Sequence, residues 1–262
     1  MELDKILKRL EKGDISSAEA KKMISLYSIE RIENMAQLDT DRAHRRGVPE
    51  VILAEPKKLK DIISIIKRHP KTEPLVVSRI RDEHMSEVVS MGSKLGLNVD
   101  AGQNSSTILF YDAEPHEDMG VVGILTAGTS DIPVAEEARL VCRAMGCKTV
   151  SHYDVGIAGL HRTFPVIRDM IKNEVDCIVV AAGMEGALAT LVASMVEIPV
   201  IGVPVSVGYG YGADGMASLA AMLQSCALGL TVVNIDGGVA AGAAAAGMAR
   251  SAHRKTHTSR PR

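Results

Sequence analysis

Tryptophan is absent from this 262-residue chain, phenylalanine occurs twice and tyrosine five times. So few aromatics leave no platform for stacking nucleic-acid bases, and a net charge of −2 supplies no basic face for a phosphate backbone. Cysteine is scarce as well. Cys142, Cys147, Cys177 and Cys226 show neither C-x-x-C spacing nor a regular framework. That pattern excludes a zinc finger and points to reduced thiols in a cytoplasmic protein rather than a disulfide scaffold. The opening Met1-Glu2-Leu3-Asp4-Lys5 is charged and does not read as a secretory signal. Only the stretch from Gly215 to Ile235 is uncharged over a membrane-spanning length. Ser218, Gln224, Ser225, Gly229 and Asn234 interrupt it, and its character turns from helix to strand midway, so it reads as buried structure.

What is present divides into two styles. The first hundred residues are rich in charge and begin with two short amphipathic helices, the second started by the capping-box pattern Ser16-x-x-Glu19. Strands at Val51–Leu53, Leu75–Val77 and Ile108–Phe110, with helices over 57–68 and 82–95, predict a small α/β domain over 1–115. From Gly120 the chain becomes rich in Val, Ala and Gly. Continuous apolar runs at Val121–Leu125, Thr149–Ser151, Cys177–Ala181, Val200–Val203 and Thr231–Asn234 each precede a small-residue turn and a helical stretch. Such runs are strands buried on both faces, so residues 118–249 are expected to form an α/β, doubly wound, five-stranded parallel sheet of flavodoxin-like type. Its ligands belong at the carboxyl ends of the strands. The basic tail, 250–262, is expected to be disordered.

The turns at those carboxyl ends carry the candidate chemistry. Gly128-Thr129-Ser130-Asp131 opens a helix and suits an anion, although Ser and Asp also simply cap helices. This turn lacks the G-x-G-x-x-G pattern of dehydrogenases. The second strand runs into His152-Tyr153-Asp154, with His161-Arg162 beyond, a set suited to acid–base work or to a polar surface. Gly183-Met184-Glu185-Gly186 puts a carboxylate at a helix start, where it complements the helix dipole or meets a substrate. The fourth turn, with four glycines and two tyrosines between Val207 and Gly215, reads as a flap. Cys226 stands between a helix and the last strand, as a buried small hydrophobe or a ligand-facing thiol. The Gly/Ala helix from Gly237 to Met248 fits a subunit interface and a buried core equally. In the charged segment 39–50, Arg42, Arg45 and Arg46 are either solvated or a phosphate clamp.

These pieces resemble known families. Gly128-Thr129-Ser130-Asp131, Ala182-Gly183-Met184-Glu185-Gly186, Ile198-Pro199-Val200-Ile201-Gly202-Val203-Pro204 and the terminal Gly/Ala helix resemble the PurE-like aminoimidazole ribonucleotide carboxylase fold. The purine carboxylases carry a Gly-Gly-Ala-(Ala)-His-Leu-Pro turn where this chain has Gly183-Met184-Glu185-Gly186, without the histidine. The combination of Asp39, Arg42, Arg45, Gly47-x-Pro49-Glu50-Val51, Tyr153-Asp154-Val155-Gly156-x-Ala158-Gly159-x-His161-Arg162, Gly183-Met184-Glu185-Gly186-Ala187 and Met222-Leu223-Gln224-Ser225-Cys226 resembles the LarB family. Those carboxylase/hydrolases begin synthesis of the nickel pincer cofactor of lactate racemase.

The LarB resemblance implies nicotinic acid adenine dinucleotide and carbon dioxide or bicarbonate as substrates, AMP as a product, and magnesium as the metal, with no tightly bound organic cofactor. It implies Cys226 as nucleophile, with Asp154, Glu185 and His161 as proton-transfer groups. Gly128, Thr129, Ser130, Asp131, Arg162, Gly183, Met184, Gly186, Arg42 and Arg45 would contact the substrate. The metal ligands are unassigned. The PurE-like part implies a homo-oligomer, possibly an octamer. Rival readings are a purine-pathway carboxylase or mutase, which needs no cysteine, and a non-catalytic nucleotide-binding regulator on the same fold.

Overall fold

The computed structural model describes residues 2–25, 30–32, 36–38 and 47–258. Helices α1 (Glu2–Glu11) and α2 (Ser17–Ser25) open the chain. The capping box before α2 is formed: the Ser16 amide donates to Glu19 Oε2 at 2.8 Å and the Glu19 amide to Ser16 Oγ at 3.2 Å. Strands β1 (Glu30–Ile32) and β2 (Ala36–Leu38) make a small antiparallel pair.

The first larger sheet holds β3 (Glu50–Leu53), β4 (Leu75–Ser78), β5 (Asn98–Ala101) and β6 (Ile108–Tyr111) in the order β3-β4-β6-β5. Only β3 and β4 run parallel. Helices α3 (Leu59–Arg68) and α4 (Asp82–Lys94) cover one face, where Val77, Ile108 and Phe110 meet Ile62, Ile66 and Val88. Sequence reasoning passes over β5 because Asn98-Val99-Asp100-Ala101 has one strongly apolar residue and an exposed edge. The other face of this sheet turns Val76 and Leu109 into the core of the second half.

The second sheet is all parallel, as expected. Its strands are β7 (Val121–Thr126), β8 (Lys148–His152), β9 (Cys177–Ala182), β10 (Val200–Pro204) and β11 (Leu230–Val232), ordered β11-β10-β9-β7-β8. Counted within this sheet the order is 2-1-3-4-5 read from the β8 edge, the flavodoxin-like arrangement. Every residue of β9 and β10 is buried, which is why those strands carry no polar alternation. Helices α5 (Ile132–Ala144) and α9 (Gly238–Thr258) pack on one face, and α6 (Thr163–Lys172), α7 (Ala187–Met195) and α8 (Met216–Leu223) on the other. The strand order reverses between β7 and β9, so the crevice for a ligand opens above those two strands.

The Gly/Ala helix uses its small residues inside the chain. A Cβ on Gly238 would stand 2.2 Å from the Val134 carbonyl, and one on Gly242 2.6 Å from the Ala138 carbonyl, both on α5. Ala241, Ala245, Ala246 and Ala249 are fully buried, whereas Ala240, Ala244 and Gly247 face outward. Gly238→Ala is therefore expected to force α9 off α5 and to cost about 1–3 kcal/mol in urea unfolding. Gly247→Ala, with open space around it, should instead stabilise by roughly 0.5–1 kcal/mol through helix propensity. The helix also continues through residues 250–258, where composition favours a disordered tail. Arg250 and Ala252 extend the run of residues with good helix propensity beyond the alanines.

Candidate functional site

Above β7 and β9 lies a cleft of about 410 Å³. It is lined by Gly128, Ser130 and Asp131 from the first turn, Gly156 and Ile157 from the second, Gly183, Met184 and Glu185 from the third, and Val207, Gly208 and Tyr209 from the flap. A cavity of about 510 Å³ lies elsewhere, along the linker residues 111–119 and the amino-terminal approach to β8. The smaller cleft is the candidate site, because it sits at the switch point and gathers residues from four strand ends.

Asp131 organises this cleft. It is only 4% exposed, and its carboxylate accepts the Gly128 amide at 2.8 Å and the Gly183 amide at 3.0 Å. One side chain thus ties the turn after β7 to the turn after β9. Burial pushes its carboxyl up, the two amides pull it down, and the charge of Asp236 raises it again. Asp131 lines the cleft, and each of its carboxylate oxygens already accepts one backbone amide. The same bonds occupy the Gly128 and Gly183 amides, so an anion would find its donors at the exposed Thr129 and Ser130.

The close approaches explain the glycines. A Cβ on Gly183 would meet the Val207 carbonyl at 2.3 Å, and one on Gly156 the Ala127 carbonyl at 2.6 Å. Gly186 has φ +66° and lies against Ser218, whose hydroxyl donates to the Ala182 carbonyl at 2.7 Å. Met184 and Asp154 adopt the left-handed region at φ +51° and +57°, a conformation non-glycine residues hold at some cost.

Glu185 is exposed and lines the cleft. Asp154 and Arg162 pair at 2.9 Å, half-exposed, beside the cleft rather than in its lining, and His161 is exposed next to them. His152 turns to Asp169 on α6 at 2.8 Å, and the Tyr153 hydroxyl donates to Glu136 on α5. Those two side chains are therefore committed to neighbouring helices. Arg42 and Arg45 lie outside the described residues.

Cys226 differs from expectation. It is exposed, but it does not line the cleft. Helix α8 leaves the flap and leads the chain away from the carboxyl edge, so that Leu230 pairs with Val200 at the first residue of β10. Leu223 and Leu228 flank the thiol at 67% and 95% exposure. The other three cysteines are buried. Burial pushes Cys147 up to about 11 and Cys177 up to about 12, and raises Cys142 well above the usual thiol range. Among the described residues no group of three His, Cys, Asp or Glu side chains converges on a metal-sized site. No described helix is long and apolar enough to cross a membrane.

Sequence reasoning missed Arg79, Glu137 and Asp236, which join the two sheets near this edge. The only local signal is the polar pair Ser78-Arg79 at a strand end, which sequence patterning does not separate from an ordinary polar turn.

Comparison with known proteins follows the same division. A family model described as AIR carboxylase matches residues 121–259, and one described as LarB/PurE-like N-terminal domain matches residues 29–103. An uncharacterized protein of Methanocaldococcus jannaschii is 42% identical over 252 residues, covering 95% of this chain and 97% of its own length. An N5-carboxyaminoimidazole ribonucleotide mutase of Thermotoga maritima is 29% identical over 117 residues, 43% of this chain and 66% of its own. A phosphoribosylaminoimidazole carboxylase of Ogataea methanolica is 32% identical over 112 residues, 40% of this chain and 19% of its own. With the switch-point cleft in its second sheet, this chain belongs to the AIR carboxylase family of carboxylase-type enzymes, and it carries ahead of that domain the LarB/PurE-like N-terminal domain.

Proposed function

We propose that the protein carboxylates the pyridinium ring of nicotinic acid adenine dinucleotide and cleaves its phosphoanhydride to release AMP, acting in the cytoplasm. The observation that carries this reading is the exposed Cys226, beside three cysteines whose burial keeps them protonated. A pyridinium ring is too electron-poor to attack carbon dioxide. Addition of the Cys226 thiolate forms a C–S bond and leaves an enamine whose carbon is nucleophilic. That carbon attacks carbon dioxide, a base takes the ring proton, and expulsion of the thiolate restores aromaticity.

Glu185, lining the cleft, takes the ring proton in this scheme. Thr129, Ser130 and Arg162 face the phosphates, and His161 serves as a proton donor beside them. Magnesium fits these residues as an ion carried by substrate phosphates, since it takes one or two carboxylates and keeps several waters. Asp154 is the carboxylate that would hold it, and the ion when bound offsets charge on the phosphoryl oxygens.

Because Cys226 stands outside the cleft of its own chain, the nucleophile comes from a second copy in a homo-oligomer. The exposed Leu223, Leu228 and Met216 are the apolar surface that such an assembly covers. The test is incubation with nicotinic acid adenine dinucleotide, bicarbonate and magnesium, with AMP and the biscarboxylated mononucleotide followed by chromatography. Both products should appear. Turnover of aminoimidazole ribonucleotide instead, with no AMP formed, would transfer the protein to the purine-pathway reading.

A further inference from the structure

Two residues far apart in the chain, Arg79 and Asp236, both hold left-handed backbone, at φ +55° and +54°, and they touch. Arg79 directly follows the last residue of β4, and its side chain leaves the first sheet. Nη2 donates to the Asp236 carbonyl at 2.5 Å, Nε donates to Glu137 Oε1 at 3.2 Å, and Nη1 lies 3.8 Å from Glu55. Glu137 is itself buried on α5 and accepts the Ser78 hydroxyl at 2.6 Å. The planar guanidinium is thus aimed by one domain at a turn of the other.

That turn carries the flap. The Asp236 amide donates to the Pro204 carbonyl at 2.8 Å, and Asp236 Oδ1 accepts the Ser206 amide at 2.8 Å. At the far end of the flap, a Cβ on Gly215 would stand 2.8 Å from Ile235 and 3.2 Å from Ser206. Both ends of segment 205–215 therefore rest on Ile235 and Asp236. Val207, Gly208 and Tyr209, just beyond the first anchor, form one wall of the cleft.

We propose that Arg79 is a positioning residue: from the N-terminal sheet it fixes the Asp236 turn, and through that turn it sets the flap wall of the cleft. Hydrogen exchange by mass spectrometry tests this on full-length Arg79→Ala, Arg79→Lys and Arg81→Ala, the last altering a neighbouring exposed arginine as a control. Exchange over 205–209 should rise about tenfold in Arg79→Ala, as expected for loss of a charge-assisted hydrogen bond. It should be partly rescued in Arg79→Lys, which keeps charge but lacks the fork, and stay unchanged in Arg81→Ala. Protection of the β9 segment 177–182 should not move.

The kinetic counterpart rests on the proposed function. The KM for nicotinic acid adenine dinucleotide should rise about tenfold in Arg79→Ala with kcat nearly constant, since a binding wall and not a reacting group is disturbed. Unchanged exchange over 205–209, or an equal rise in β9, would overturn the positioning role. If the wild type does not turn this dinucleotide over, the functional reading falls while the exchange comparison still decides the role of Arg79.

Discussion

Replacing Cys226 with serine should lower carboxylation by on the order of 10³-fold or more, because an alkoxide is far harder to generate near neutral pH than a thiolate. Cys177→Ala, by contrast, removes a buried strand thiol and should change turnover little while costing some packing. The position of Cys226 outside its own cleft adds a sharper expectation. Mixed assemblies of Cys226→Ser and Glu185→Gln subunits, each inactive alone, should regain about a quarter of wild-type activity, the fraction of sites pairing an intact thiol with an intact cleft. Activity is read by AMP and carboxylated product after subunit exchange. A Cys226→Ser enzyme that still carboxylates would remove the covalent route, and mixtures with no recovery would place thiol and cleft in one chain.

The second large effect is expected at Asp131. Asp131→Ala leaves the Gly128 and Gly183 amides without their acceptor, one of them fully buried. At about 1–3 kcal/mol for each orphaned donor, a loss near 2–4 kcal/mol should appear in denaturant unfolding. The two turns it joins both line the cleft, so ligand binding should weaken with stability. Asp131→Asn keeps one acceptor oxygen but turns an amide donor toward the other N–H, and should fall between wild type and alanine. An unfolding midpoint unchanged in Asp131→Ala would show that the turns hold each other without this carboxylate.

The five parallel strands were legible because burial on both faces leaves a local mark, an apolar run without alternation, that needs no knowledge of the partner. The turns holding Gly128, Gly183 and Glu185 were legible for a related reason, since a ligand crevice in this topology must lie at strand carboxyl ends. Asp131 was found but its partner was not. Its contact with Gly183 spans 52 residues, and no local pattern distinguishes a cap from a cross-turn tie. Cys226 was found by type and misplaced in space, because the direction in which α8 leaves the flap is a tertiary fact. The Gly/Ala helix showed that backbones approach closely without showing whose backbone it is. Arg79 and Asp236, 157 residues apart, left no trace in sequence.

Helix α5 has a consequence for how the two halves can exist apart. It lies between the sheets, packing on β7, β8 and β9 with one flank and across β4 and β6 with another. The first sheet, with α3 and α4 on one side only, borrows this helix to cover Val76 and Leu109. A cut between residues 112 and 118 would sever the chain at a natural seam and yet strip an apolar face bare. The seam is a boundary of sequence but not of cooperativity. The N-terminal half lodges two of its strand residues in the other's core, so whatever steadies the cleft is expected also to steady the part of the protein that never touches it.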